Sequence, residues 1–135
     1  MNPVLRNILA VLCGTAACMV LNGSLLSFMM KLNPAPVGFD PNVLETYSML
    51  EARHLMNPFI AHAIPSWFGG ALAAMLAATR KMTFALVVGG LHLIGGIAAA
   101  FLIPAPAWFI ALDLVVAYLP MAWLGGKLST RRVRP

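Results

Sequence analysis

Polar residues leave four long gaps along this chain, and the gaps set the expected fold. Apolar residues run almost unbroken over about residues 4–31, 58–79, 82–103 and 107–126. A helix needs about 20 such residues to cross a hydrocarbon core roughly 30 Å thick. The pattern therefore predicts an all-α membrane protein, a four-transmembrane-helix bundle forming one domain across the 135 residues.

The connections carry their own signals. "LNPAPVGFDPN" holds three prolines and a glycine, so it is not helical throughout. Asp40 before Pro41 reads as an N-cap and first helical position. "VLETYSMLEARHLM" then predicts a short amphipathic helix over about 41–56, with Val43, Leu44, Tyr47 and Leu50 on one face and Glu45 and Glu51 off it. It is too short to span and is expected to lie on the membrane interface. Asn57 and Pro58 repeat the cap signal and are expected to open span two. Pro120 predicts a kink in span four, and Gly125–Gly126 its C-terminus. Trp108 and Phe109 near one boundary and Trp123 near the other fit an aromatic belt, whereas Trp67 is expected to pack.

Composition agrees: 61% of residues are hydrophobic and 10% charged, against about half and a quarter in soluble domains. The net charge of +5 changes the picture only through its placement. If the N-terminus is cytoplasmic, Arg6, Arg80, Lys81, Lys127, Arg131, Arg132 and Arg134 all fall inside, and Lys31 and Arg53 outside. That split predicts cytoplasmic N- and C-termini. No basic face interleaved with aromatics exists, so nucleic acid is not an expected partner. Cys13 and Cys18, five residues apart, point apart around a helix and are expected to be buried packing residues. The absence of a CxxC argues against a disulfide oxidoreductase. "TAAC", ending at Cys18, lacks a lipobox leucine, so an uncleaved first span is expected. No internal repeat supports a duplicated transporter.

Polar residues at depth are the candidate chemistry. On span two, His62, Ser66, Gly69, Ala73 and Ala77 share a face, and on span three Gly89, His92, Gly96 and Ala99 do. Gly69, Gly89 and Gly96 are expected to let helices approach closely, with the two faces opposed and Gly69 making room for His92. Counting along the hairpins puts Asp113 within about one turn of His62 in depth, with Asn22 level with Ser66. An unpaired aspartate at a span centre costs about 2.5–3.5 kcal/mol, so Asp113 should face inward and find a partner. His62 is the first candidate, followed by Asn22, Ser66 and Tyr118; a protonated, neutral Asp113 is the alternative. The expected buried cluster is thus Asp113, His62, Asn22, Ser66 and His92. His54, beside Arg53, is expected to be solvated.

His62 and His92 are offset by about seven residues, roughly 10 Å along the axis, which disfavours a bis-histidine haem. The same offset, with no HxxxH and no paired carboxylates, disfavours a metal site. No cofactor is expected, and no nucleophile elbow or phosphate-binding loop is present.

The stretch from Phe59 to Leu128 resembles a family of small bacterial four-span integral membrane proteins of unassigned function. The likeness is carried by His62-Ala63, Lys81-Met82, Ile94-Gly95-Gly96-Ile97, Pro106-x-Trp108-Phe109 and Leu112-Asp113-Leu114. The chain departs from that family at Pro65-Ser66, where Gly-Thr is common, and at His92, where an aromatic is. The resemblance implies a multi-pass protein of the bacterial cytoplasmic membrane and supplies no activity. The small-residue faces and the missing catalytic motifs favour a non-enzymatic structural or accessory component. Such a protein would sit among membrane lipids and self-associate or join a larger membrane complex. The alternative expectation is a small proton-coupled transporter or carrier using Asp113 and His62.

Overall fold

The computed structural model describes residues 1–131 and is all-helical over them. Arg132 and Arg134, part of the charge pattern above, lie outside the described residues. In chain order the elements are α1 (Pro3–Leu32), a 3₁₀ helix (Leu44–Met49), α2 (Ala52–Leu76), α3 (Lys81–Leu102), α4 (Ala107–Val116) and α5 (Leu119–Arg131). α1, α2, α3 and the α4–α5 unit are each long and apolar enough to cross a membrane.

Local chemistry explains most boundaries. α1 starts at Pro3, with the Asn2 side chain accepting from the Val4 N–H at 2.8 Å; an N-cap followed by proline at N1 is the favoured start. α2 begins at Ala52, six residues before Pro58, because Glu51 forms a capping box with His54. The Glu51 N–H donates to His54 Nδ1 at 3.0 Å. This corrects two expectations. Asn57–Pro58 does not open the span, and His54 is buried rather than solvated. Nor do residues 41–56 form one amphipathic α-helix. Asp40 Oδ1 instead accepts from the N–H of Asn42 at 2.9 Å, closing a local turn. Val43 and Leu50 are extended on either side of the 3₁₀ helix, and Val43 and Leu44 are exposed.

Span four is broken, as Pro120 predicts. Without an N–H, Pro120 cannot bond the Val116 carbonyl, and its ring crowds that oxygen; α4 ends at Val116 and α5 resumes at Leu119. Gly125 and Gly126 do not end the helix, which continues to Arg131. They are buried packing residues: a Cβ on Gly125 would strike the Trp67 carbonyl, and one on Gly126 would sit 2.8 Å from the Ala85 side chain.

α2 is the hub, touching α1, α3, α4 and α5, whereas α1 does not touch α4 or α5. The tight contacts gather in the half holding the start of α1 and the α2–α3 turn. A Cβ on Gly14 would lie 2.8 Å from the Gly69 carbonyl, and one on Gly70 2.6 Å from that of Ala122. Close approach therefore requires glycine at these positions. The expected opposition of the α2 and α3 faces is not what forms. Gly69 meets Gly14 and Cys18 of α1 and, on α3, Val88 rather than His92; Gly89 meets Ala122 of α5, and Gly96 makes room for the Tyr118 phenol. α1 and α5 also offer small residues, so the face pattern alone does not choose between partners. Cys18 is buried as expected, but Cys13 is exposed on the apolar surface of α1.

The α2–α3 turn is tied to α1. Arg6 Nε donates to the Leu76 carbonyl at 2.7 Å, and Asn7 Oδ1 accepts from the N–H of Ala78 at 2.8 Å. Asn7 Nδ2 also donates to Thr79 Oγ1 at 2.9 Å. Arg80 closes the turn at φ 41°, ψ 45°, a left-handed conformation that disfavours a side chain by about 1–2 kcal/mol.

Candidate functional site

In the opposite half of the bundle, beside the 33–51 connection, the helices part around a cavity of about 640 Å³. It is flanked by α1 and α4, which do not touch each other. One face of α1 lines it through Thr15, Met19, Asn22, Leu26 and Met30, a stretch of about 22 Å at 1.5 Å per residue. Leu91, Gly96 and Ala99 of α3, Ile103 just after it, and Phe109 and Ile110 of α4 complete much of the apolar wall. Phe39, Tyr47 and Leu50 of the connection line its end, with the Phe39 and Tyr47 rings edge-on at 5.2 Å.

His62, Asp113 and Tyr118 meet at the wall of this cavity. His62 Nδ1 lies 2.9 Å from each carboxylate oxygen of Asp113, and the Tyr118 hydroxyl donates to Asp113 Oδ2 at 3.0 Å. The same hydroxyl is 3.0 Å from His62 Nδ1, and the two rings stack at 5.5 Å. As a carboxylate Asp113 only accepts, and Nδ1 then carries the proton that points at it; a protonated Asp113 would instead donate to Nδ1. The His62 side chain keeps 24% of its exposure and that of Asp113 only 8%. Nε2 makes no hydrogen bond with a described residue, and His62 lines the cavity. An imidazole oriented by a carboxylate, with its second nitrogen unclaimed, can accept a proton or a hydrogen bond from a ligand.

The break before Pro120 is what recruits Tyr118. In a continuous helix a residue five positions on is rotated by about 140°, away from the Asp113 face. Ala117 and Tyr118 fall between α4 and α5, and the phenol turns back to Asp113 across the space left by Gly96. Tyr118 belongs to the centre of the cluster, although the sequence offered it only as a weaker partner and the expected cluster left it out. The usable signal was a hydroxyl two residues before an intrahelical proline.

The other expected members divide. Asn22 does not reach Asp113; its Nδ2 donates to the Ala61 carbonyl at 2.8 Å. That carbonyl is the one Pro65, four residues later, cannot bond, so Asn22 supplies the donor that the proline removes. Ser66 is 1% exposed, and its hydroxyl has no hydrogen-bond partner among the described residues. His92 lines the cavity, but its Nδ1 bonds the Val88 carbonyl of its own helix at 2.9 Å. Thr15, not singled out in the sequence, also lines the cavity, and its hydroxyl has no hydrogen-bond partner among the described residues. Among the described residues no group of three or more His, Cys, Asp or Glu side chains could hold a metal ion. Comparison with known proteins finds no matching family model, no matching curated protein and no matching solved structure.

Proposed function

We propose that the chain is a small proton-coupled carrier that takes a solute into the cavity and exchanges a proton at His62 and Asp113. The observation that carries this reading is the His62–Asp113–Tyr118 cluster on the wall of a 640 Å³ cavity. A polar contact that only held helices together would not need a cavity beside it, nor an imidazole nitrogen left without a protein partner. Buried charges inside membrane proteins commonly mark ion and solute paths. The cavity sits at one end of the bundle, and the glycine contacts of Gly14, Gly69 and Gly70 close the other. One open and one sealed end is what a carrier presents in one of its two states. With both termini cytoplasmic, the cavity belongs to the outer half of a bacterial inner membrane.

The test is solute-dependent proton movement in proteoliposomes loaded with a pH-sensitive dye, run over a panel of solutes with wild type and Asp113→Asn. The expected result is a flux with at least one solute that Asp113→Asn abolishes while the variant stays folded. Fluxes indifferent to Asp113 across the panel would refute the carrier reading.

The second reading is an accessory component that joins a larger membrane complex or a second copy of itself. It is favoured by Gly90 and Gly95 of α3, where an added Cβ would meet nothing within 4 Å. Gly69, Gly89 and Gly96, by contrast, are occupied within the chain and lend it nothing. Mass measurement in mild detergent separates the readings: an obligate oligomer or co-purified partner supports the second.

A further inference from the structure

The geometry points to a lipophilic primary amine as the molecule the cavity takes, bound as its ammonium form in exchange for one proton released from His62. This rests on the carrier reading and names its substrate class. The argument begins with charge. Asp113 is the one acidic or basic residue of the Asp, Glu, Lys and Arg types lining the cavity among the described residues. It is almost fully buried, and among the described residues no Lys or Arg pairs with it. A carboxylate in such a place is costly unless a positive charge lies beside it. The surroundings leave two ways to supply one: a second proton on His62, or a cation in the cavity.

The groups facing the pair from the other elements add no charge of their own. α1 offers Asn22, whose amide is committed to the Ala61 carbonyl, the unpartnered Thr15 hydroxyl and the buried Cys18. α3 offers His92, bonded to Val88. Tyr118 donates to Asp113, and His54 on α2 is held by the Glu51 capping contact. The exchange is then fixed by neutrality. Imidazolium and carboxylate balance each other; when R–NH₃⁺ arrives beside them, the surplus proton leaves Nε2 for water. The ammonium donates an N–H to the freed Nε2 lone pair, and no covalent bond to carbon forms or breaks.

Shape and lining set the rest of the molecule. A cavity of about 640 Å³ with one wall about 22 Å long suits an elongated molecule of one chain or one narrow ring system. Its methionine and aromatic walls, including Met19, Met30, Phe39 and Phe109, favour an apolar body. The backbones of α1 and α4 stay more than 8 Å apart on either side of the cavity, and the space between them is the lateral route such a body would take from the bilayer.

The test uses the full chain in phosphatidylcholine nanodiscs, with 4-phenylbutylamine and 4-phenylbutan-1-ol as probes. Titration calorimetry in two buffers of different ionisation enthalpy reads affinity and proton release together, with protein-free nanodiscs as the blank. The expected result is amine binding at least tenfold tighter than alcohol binding, with about one proton released per amine and none per alcohol. With one proton released per amine, the amine Kd should fall about tenfold for each unit the pH rises, as mass action requires. His62→Gln keeps a donor to Asp113 but cannot take up the exchanged proton, so it should bind amine without proton release. Asp113→Asn should bind amine and alcohol within about threefold of each other. If wild type binds the alcohol as well as the amine, or binds amine without releasing a proton, the amine assignment is overturned while a ligand cavity stands. If neither probe binds, both the amine assignment and the solute cavity fall.

Discussion

The bond between Asn22 and Ala61 makes a claim about sequence that a double-mutant cycle can measure. Pro65 deprives the Ala61 carbonyl of its helical donor, and Asn22 Nδ2 reaches it from α1 at 2.8 Å. Replacing Asn22 with leucine keeps the branched side-chain skeleton but leaves the oxygen with no donor. A typical hydrogen bond contributes about 0.5–1.5 kcal/mol net, and a buried unsatisfied acceptor costs about 1–3 kcal/mol. Side-chain couplings in a bilayer protein average about 0.6 and reach about 1.7 kcal/mol. The site is partly buried in an apolar span, so about 1 kcal/mol is expected for the coupling. Asn22→Leu also changes apolar burial, an unrelated effect the cycle cancels. In a Pro65→Ala background the helix regains its own N–H to Ala61, and Asn22→Leu should then cost about 1 kcal/mol less than it does beside Pro65. Unfolding in mixed micelles titrated with dodecyl sulfate, followed by circular dichroism, gives the four stabilities. A coupling below about 0.3 kcal/mol would refute the account of Asn22 as the donor that Pro65 removes.

Other outcomes follow from the same geometry. Asp113→Asn, which keeps hydrogen-bonding capacity toward His62 and Tyr118, should lose less stability in that unfolding assay than Asp113→Leu, which strands both polar partners; a gap of about 1–3 kcal/mol is expected. Gly125→Ala drives a Cβ into the Trp67 carbonyl and should cost about 1–3 kcal/mol. Gly90→Ala meets open space and should be neutral or stabilising by up to about 1 kcal/mol; equal thermal stability of the two variants would contradict the packing described. Asn7→Ala strips the acceptor from the Ala78 and Thr79 N–H groups, and hydrogen exchange at those two amides should quicken while the centre of α2 stays protected.

The four spans were legible because lipid imposes a strong length and polarity rule on a helix, one that 61% hydrophobic composition makes easy to see. The pairing of His62 with Asp113 was also in reach, since hairpin counting fixes depth and an unpaired aspartate is costly. Rotation about each helix axis was not. Gly69, Gly89 and Gly96 each announce a close approach, but Gly14, Ala122 and the Tyr118 ring competed for them, and only three-dimensional packing decides. Proline was read too simply in both directions. Pro58 resembled a helix start, yet the stronger capping box at Glu51 and His54 set it six residues earlier. Pro65 was passed over, although a proline inside a span always poses the question of which donor takes its carbonyl.

The contacts between α1 and the α2–α3 turn bear on the order in which the chain is made. Arg6 and its Leu76 partner are 70 residues apart, so at about 5–20 residues per second the ribosome separates them by roughly 4–14 s. Throughout that interval α1 can reside in the bilayer with Arg6 and Asn7 already at the surface where the next hairpin will turn. The end of α2 thus arrives at ready-made partners, and Arg6, a topology signal in the sequence, doubles as a landing point for a later segment. α4 and α5 touch α2 and α3 but not α1, so the last span to leave the ribosome docks on the newest helices alone. The native contacts suit a vectorial assembly in which each hairpin settles on what was made before it.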